Sequence, residues 1–196
     1  MDKSVFAFYY NWYLKNPITW ERTFREPLLG RYDSLDESII HQHLKWAEEA
    51  GIDAFIVTWW GNRKMVKPRP ISDSAFHKVL ETVKAIGSPI KLCPYYEIVP
   101  EGNPEAAVRD FLHILKDYAF YPQFFRAEGK PVIFVYERAI LQLNAKEWKQ
   151  IIEEVKAKEE VILVADHGPA EILELFDSIH TYNTILDSSY GGYESL

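Results

Sequence analysis

The sequence predicts an α/β protein built on a parallel sheet, and three observations support this. Six short apolar runs alternate with helical patterns along the 196 residues. Several runs are continuously apolar, which is typical of strands buried on both faces of a parallel sheet. Polar and aromatic side chains gather at the carboxyl end of each run. A strand–helix alternation of this kind implies right-handed crossovers between parallel strands.

The six predicted strands are short and rich in β-branched and aromatic residues. They comprise residues 5–10, 53–60, 91–98, 131–137, 161–166 and 178–184, and the last has the weakest pattern. The predicted helices have apolar residues at helical spacing and comprise residues 36–50, 73–86, 104–118, 145–158 and 169–176. Gly51 and Gly87 follow two of these helices as stop signals.

Two architectures fit this order of elements, an open doubly wound sheet and a (β/α)8 barrel. A (β/α)8 barrel typically needs about 250 residues, so length alone favours the open sheet. A GxGxxG turn does not follow the first strand, which removes support for a dinucleotide-binding fold. The long segment 11–35 has loop composition, and a loop of this length is more often functional than idle. In both architectures, ligands bind beyond the carboxyl ends of the strands.

Composition excludes several classes of function. The net charge of −7 argues against nucleic acid as a partner, because phosphate binding needs a basic surface. No run approaches the roughly 18 apolar residues of a membrane span. Cys93 is the only cysteine, so the chain forms no internal disulfide. The chain enters a strand-like run without a visible signal peptide, which predicts a cytoplasmic protein, or a secreted one if a leader was removed.

Metal and cofactor motifs are also missing from the sequence. HExxH, CxxC, P-loop and GxSxG patterns do not occur. His41 and His43 stand two apart on a predicted helix and therefore point to different faces, which makes them a poor metal pair. We accordingly predict no metal site.

The residues at the strand ends point to a carbohydrate ligand. Aromatic residues make up 15% of the chain, and a Trp or Tyr ring combines an apolar face with a polar edge, which matches a sugar ring. A large aromatic core is the alternative explanation for any single ring. The predicted substrate-binding residues are Tyr10, Trp12, Trp59, Trp60, Tyr96, Tyr136, Asp166, His167 and Tyr182.

Two carboxylates are candidates for catalysis. Glu97 and Glu137 each end a predicted strand, on neighbouring strands, and two carboxyl groups about 5 to 10 Å apart can hydrolyse a glycosidic bond. Each could instead cap a helix or pair with a loop arginine such as Arg63 or Arg138. The adjacent Asp166 and His167 could form an acid/base pair or half of a metal site, or simply a loop turn.

Three segments of the sequence resemble one family of enzymes. These are FYYNWY (8–13), GRYDSLDESIIHQHLKWAEEAGIDAFIVTWWG (30–61) and YPQFFRAEGKPVIFVYE (121–137). They resemble glycoside hydrolase family 99 and its endo-α-mannosidase-like relatives. The resemblance implies a (β/α)8 TIM-type barrel that acts on α-mannosides without a cofactor. It also implies that Tyr10 and either Trp59 or Trp60 lie in a sugar subsite, and that Glu97 contacts substrate.

The same resemblance bears on whether residues 1–196 contain the whole barrel. The family's catalytic glutamates lie in a downstream motif that is not found in these 196 residues, which hold about six βα units. We therefore expect a single barrel-type domain over residues 1–196, incomplete at its carboxyl end. It would be a glycoside hydrolase if the remainder is present, and otherwise an inactive sugar-binding module or an oligomerising scaffold. Open barrel edges would favour a homo-oligomer that covers them.

Overall fold

The computed structural model describes residues 3–21, 23–62 and 72–182. Its strands are β1 (Phe6–Tyr9), β2 (Ala54–Trp59), β3 (Lys91–Tyr96), β4 (Arg126–Ala127), β5 (Lys130–Val135), β6 (Ile162–Ala165) and β7 (Ser178–Ile179). Its α-helices are α1 (Glu37–Glu49), α2 (Ser72–Ile86), α3 (Pro104–Asp117), α4 (Glu137–Ile140), α5 (Ala145–Lys156) and α6 (Ala170–Leu173). Short 3-10 helices span Pro17–Trp20 and Pro100–Gly102.

The sheet runs in the order β1-β2-β3-β5-β6-β7, and each neighbouring pair is parallel. This confirms the prediction of six parallel strands in sequential order, as in part of a (β/α)8 barrel, and removes the open doubly wound alternative. The sequence did not predict β4, which pairs antiparallel with β5. Glu128 and Gly129 connect these two strands, and both adopt positive φ angles.

Side-chain caps define where three of the helices begin. The Asp36 carboxylate accepts a hydrogen bond from the Ser38 backbone N–H at 2.9 Å and starts α1. Asn103 caps α3 in the same way, and Asn144 forms a capping box with Glu147 at the start of α5. These caps satisfy backbone N–H groups that have no partner inside the helix. The predicted positions of these helices are confirmed to within a few residues.

The two faces of the sheet pack into two separate cores. Alternate strand residues such as Phe55, Val57 and Trp59 pack with apolar side chains of the helices. The residues between them form a second cluster on the inner face, which is made up of Ile56, Cys93, Tyr95, Val132, Phe134 and Val164. Successive side chains of a strand point to opposite faces, so this alternation decides which residues reach the inside of the barrel.

The outermost strands have one neighbour each in the part of the chain that the structure describes. β1 pairs with β2, and β7 pairs with β6. Val5 and Ile179 are exposed beside these edges. None of the helices in the described ranges combines the length and the apolar character that crossing a membrane requires.

Candidate functional site

The candidate site is a group of polar and aromatic side chains at the carboxyl ends of the strands, on the inner face of the sheet, and we call this group the cleft. Successive side chains alternate between the two faces of a strand, so every second residue near each strand end points to the inner face of the sheet. The side chains that this arrangement brings together are Tyr10, Trp12, Trp60, Tyr95, Glu97, Tyr136, Arg138, Asp166 and Tyr182. Seven of these nine were predicted from the sequence, so most of the predicted group converges.

Glu97 is one of the two acidic groups of the cleft in the described residues, and Arg138 is one of its partners. The Arg138 Nη2 donates to the Glu97 carboxylate at 3.1 Å, and its Nε donates to the Glu97 carbonyl oxygen at 3.1 Å. The Glu97 side chain is only 8% exposed, whereas that of Arg138 is 52% exposed. The arginine pairing that the sequence left open for Glu97 is therefore present, and it involves Arg138. Arg63 lies outside the described residues.

Aromatic rings form the wall beside this ion pair. Trp12 stacks on Trp60 with a centroid distance of 5.0 Å and an interplanar angle of 24°. The Tyr10 ring lies 4.6 Å from that of Trp12, tilted by 36°. The Arg138 guanidinium lies 6.0 Å from the Trp60 ring centroid and 5.7 Å from that of Tyr136. Flat rings next to a charged pair suit a ligand that has both apolar faces and hydroxyl groups.

Tyrosine hydroxyl groups line the rest of the cleft. The Tyr10 and Tyr182 oxygens lie 2.5 Å apart. Burial, followed by the hydrogen bond with Tyr182, raises the pKa of Tyr10, and the nearby Glu97 charge contributes in the same direction. Burial and then the Asp166 charge raise the pKa of Tyr95. Both hydroxyls therefore stay protonated at neutral pH and can donate hydrogen bonds.

Asp166 lies beneath the tyrosines and is almost completely buried. Its carboxylate accepts hydrogen bonds from the Tyr95 hydroxyl at 3.2 Å and from the Tyr182 backbone N–H at 3.1 Å. His167 Nδ1 lies 3.2 Å from the same carboxylate, and the His167 side chain is partly exposed. Among residues 3–21, 23–62 and 72–182, no group of three His, Cys, Asp or Glu side chains is arranged to hold a metal ion.

Trp59 and Tyr96 do not lie in the cleft, which corrects their predicted position. Both rings are completely buried on the face of the sheet that packs against the helices, where they stack at 5.8 Å. The Trp59 Nε1 donates to Asp73 at 3.1 Å, and the Tyr96 hydroxyl donates to Asp110 at 3.2 Å. Each is one residue away from a cleft residue, and a shift of one residue along a strand reverses the face.

Glu137 follows the strand end instead of forming part of it. It is the first residue of α4, a one-turn helix that the sequence did not predict. Its backbone N–H donates to Asp166 at 3.4 Å, and the residue is half-buried. The catalytic roles predicted for Glu97 and Glu137 stay predictions.

The site predicted from the sequence does not include two of the cleft residues, Tyr95 and Arg138. Strand alternation could have identified Tyr95, because it is two residues before Glu97 and therefore shares its face. The sequence suggested Arg138 only as a possible pairing partner of Glu97 or Glu137. Its position in the first turn of α4 follows from a helix that the sequence pattern did not reveal.

Fold and site together define a (β/α)-barrel protein whose candidate ligand site lies at the carboxyl ends of its strands. The family model for glycosyl hydrolase family 99 matches residues 21–183. The chain therefore belongs to glycosyl hydrolase family 99, which confirms the resemblance seen in the sequence.

Individual relatives agree with this assignment. The chain is 22% identical to the glycoprotein endo-alpha-1,2-mannosidase of Rattus norvegicus over 239 aligned positions, which cover 97% of this chain and 51% of the relative. The GH99 endo-alpha-mannosidase of Bacteroides thetaiotaomicron, solved in complex with Bis-Tris propane, superposes with a TM-score of 0.75 at 24% identity. A second structure of that enzyme gives a TM-score of 0.70 at 21% identity.

The two bacterial structures each cover 93% of this chain, which in turn covers 60% and 62% of them. At these identities the superposition shows the fold, a partial (β/α)8 barrel. The chain thus spans about half the length of its rat relative and about three fifths of the bacterial enzyme.

Proposed function

We propose that the cleft binds α-linked mannoside glycans and forms part of the substrate site of a family 99 glycoside hydrolase. Membership of the family and the name of the rat relative support this substrate class. The observation that supports it most directly is the pairing of the buried Glu97 with the half-exposed Arg138 beside the stacked Trp12 and Trp60 rings.

The chemistry of this arrangement suits a sugar ring. The half-buried Trp12 ring, stacked on the buried Trp60, offers apolar surface to the C–H face of the sugar. Glu97 accepts hydrogen bonds from sugar hydroxyls, and such bonds to a charged acceptor are stronger than neutral ones. The Glu97 carboxylate already accepts a hydrogen bond from Arg138, so it is suited to accepting further hydrogen bonds from a ligand.

Hydrolysis requires a second carboxyl group as the acid, and Glu137 is the predicted candidate. The alternative function is a sugar-binding module without turnover. The observation that favours it is the double contact of Arg138 with Glu97, which engages a carboxylate that was predicted to be catalytic. Both functions use the same cleft, so binding and turnover have to be measured separately.

The binding test uses calorimetry with α-1,2-linked mannobiose, and cellobiose as the non-mannose control. We expect Glu97→Gln to weaken mannobiose binding about ten- to a hundredfold, because it removes a charge-assisted hydrogen bond without changing the volume. Glu153→Gln on the exposed face of α5 is the matched control and leaves the affinity unchanged. The absence of wild-type binding at millimolar mannobiose, or equal affinity in Glu97→Gln, would refute the proposal.

The turnover test measures mannose released from the same disaccharide by wild type, Glu97→Gln and Glu137→Gln. Release that both variants abolish supports the acid and base roles of these residues. Binding without release supports the sugar-binding module. Release that persists in both variants places the catalytic carboxylates elsewhere.

A further inference from the structure

We propose that Asp166 is a positioning residue, which fixes the Tyr10 hydroxyl in the cleft by anchoring Tyr182. This inference rests on the proposed glycan-binding function and deepens it. It changes the predicted role of Asp166, because a carboxylate that is 2% exposed is better placed to organise the cleft than to contact a sugar.

Three donors converge on the Asp166 carboxylate, and a histidine ring nitrogen lies beside it. Oδ2 accepts from the Tyr95 hydroxyl of β3 at 3.2 Å and from the Glu137 backbone N–H at the start of α4 at 3.4 Å. Oδ1 accepts from the Tyr182 backbone N–H at 3.1 Å and lies 3.2 Å from His167 Nδ1. A buried carboxylate needs such partners, and here they come from separate strand ends. Asp166 therefore links these strand ends to β6.

Tyr182 extends this link across the cleft. Its backbone is held by Asp166, while its hydroxyl lies 2.5 Å from that of Tyr10 and its ring packs edge-on against Phe8 at 4.8 Å. β1 and β7 are the two ends of the strand order in the described ranges, and no ladder joins them there. The chain of contacts from Asp166 through Tyr182 to Tyr10 thus connects the two ends of the sheet at the mouth of the cleft.

Loss of the Asp166 carboxylate would weaken glycan binding through Tyr182 and Tyr10. Without the Asp166 acceptor, the Tyr182 N–H loses its partner and the Tyr182 ring is free to shift. The Tyr10 hydroxyl then loses the contact that orients it beside Trp12. A small displacement of a positioned group is enough to reduce binding, because a preorganised site avoids the entropy cost of ordering its side chains.

The first test needs no ligand. Ring signals of Tyr10 and Tyr182 are recorded by NMR in protein labelled with ¹³C-tyrosine and are assigned with Tyr10→Phe and Tyr182→Phe. We expect Asp166→Asn to shift both signals, because it replaces one acceptor oxygen with a donor. Unchanged signals of Tyr10 and Tyr182 in Asp166→Asn would overturn the proposal.

Asp177→Asn provides a matched control for this experiment. Asp177 also accepts from a backbone N–H, that of Leu163 at 2.8 Å, and from Lys156 at 2.6 Å, but at the amino end of β6. Its loss therefore removes a similar contact far from the cleft, and we expect the Tyr10 and Tyr182 signals to stay in place. If Asp166→Asn does not fold in a thermal melt, Asp166→Glu replaces it, since this variant moves the carboxylate by one methylene.

The second test is a double-mutant cycle for α-1,2-mannobiose binding. We expect Asp166→Asn to weaken binding about tenfold and Tyr182→Phe about three- to tenfold. If Asp166 acts through Tyr182, the double variant binds within about twofold of Asp166→Asn alone. Fully additive losses would overturn the proposal. If wild type binds no mannobiose, the proposed function fails, while the NMR test still decides the positioning role.

Discussion

Arg138 joins the end of β3 to the start of α4 by contacting Glu97 at two points. One donor reaches the carboxylate and the other reaches the carbonyl oxygen, each at 3.1 Å. The same guanidinium lies over the rings of Trp60 and Tyr136. A planar group with several fixed donors can make all of these contacts at once. This single side chain therefore orients both the acidic and the aromatic parts of the cleft.

Substitutions of Arg138 distinguish the effect of its positive charge from the effect of its two-point contact with Glu97. We expect Arg138→Met to weaken mannobiose binding about tenfold, and Arg138→Lys to give a smaller loss, because lysine keeps the charge without the two-point contact. The free energy of unfolding should fall by about 1 kcal/mol in Arg138→Met, since half of the side chain is exposed to solvent. Calorimetry and urea unfolding measure the two effects. Arg109→Met, on the exposed face of α3, is the control, and an equal loss of affinity in it would contradict the prediction.

Trp59 and Trp60 should respond in opposite ways to substitution. Trp59→Phe removes the hydrogen bond to Asp73 and part of a filled core, so we expect the free energy of unfolding to fall by about 1 to 3 kcal/mol, with unchanged affinity. Trp60→Phe should reduce affinity, because it shrinks the ring on which Trp12 stacks. Thermal melts and mannobiose titrations of both variants test this. Equal affinity losses in the two would show that Trp59 also contributes to the site.

The buried cluster around Asp73 predicts a dependence of stability on pH. Hydrogen bonding to Asp73 raises the pKa of His113, against the opposing effect of burial. Burial alone would raise the pKa of Asp73, but hydrogen bonds from His113 and Tyr118 lower it. The contribution of His113 is therefore complete below about pH 6.5, its unfolded pKa, and is lost as pH rises through the folded pKa. The contribution of Asp73 is lost at the acid end, below about pH 4.

The measurement compares wild type with His113→Gln. The difference in free energy of unfolding should be larger at about pH 5.5 than at about pH 9. His43 is a control of opposite sign, because burial lowers its pKa and its neutral form is the stabilising one. The difference between wild type and His43→Gln should therefore shrink as pH falls below about 6.5. A difference for His113→Gln that does not vary with pH would contradict the prediction.

The edges of the sheet predict self-association of the 196-residue chain. In the described residues, β1 and β7 each present an edge without a paired strand, flanked by the exposed Val5 and Ile179. Bare strand edges favour pairing with another chain. We expect light scattering to give twice the mass of the chain, and Ile179→Lys to reduce it to that of a monomer. A monodisperse monomer in the wild type would contradict this prediction.

Much of the fold follows from local patterns in the sequence. Continuous apolar runs and helical spacing identified the six parallel strands and the long helices, because each pattern reports how its own segment is buried. The short elements β4 and α4 were missed, since two or four residues are too few to establish a period. Residues 183 and 184 of the predicted sixth strand lie outside the described residues.

The sequence by itself determined the family, the order of the strands and the edge of the sheet at which the candidate site is predicted to lie. Only the tertiary structure decided which neighbour of each aromatic pair enters the cleft, as Trp60 does and Trp59 does not. It also decided that Glu97 meets Arg138, 41 residues away, and that Tyr10 meets Tyr182, 172 residues away. The physical reason is that burial patterns are local, whereas the face of a strand and its distant contacts depend on how the whole sheet packs and curves.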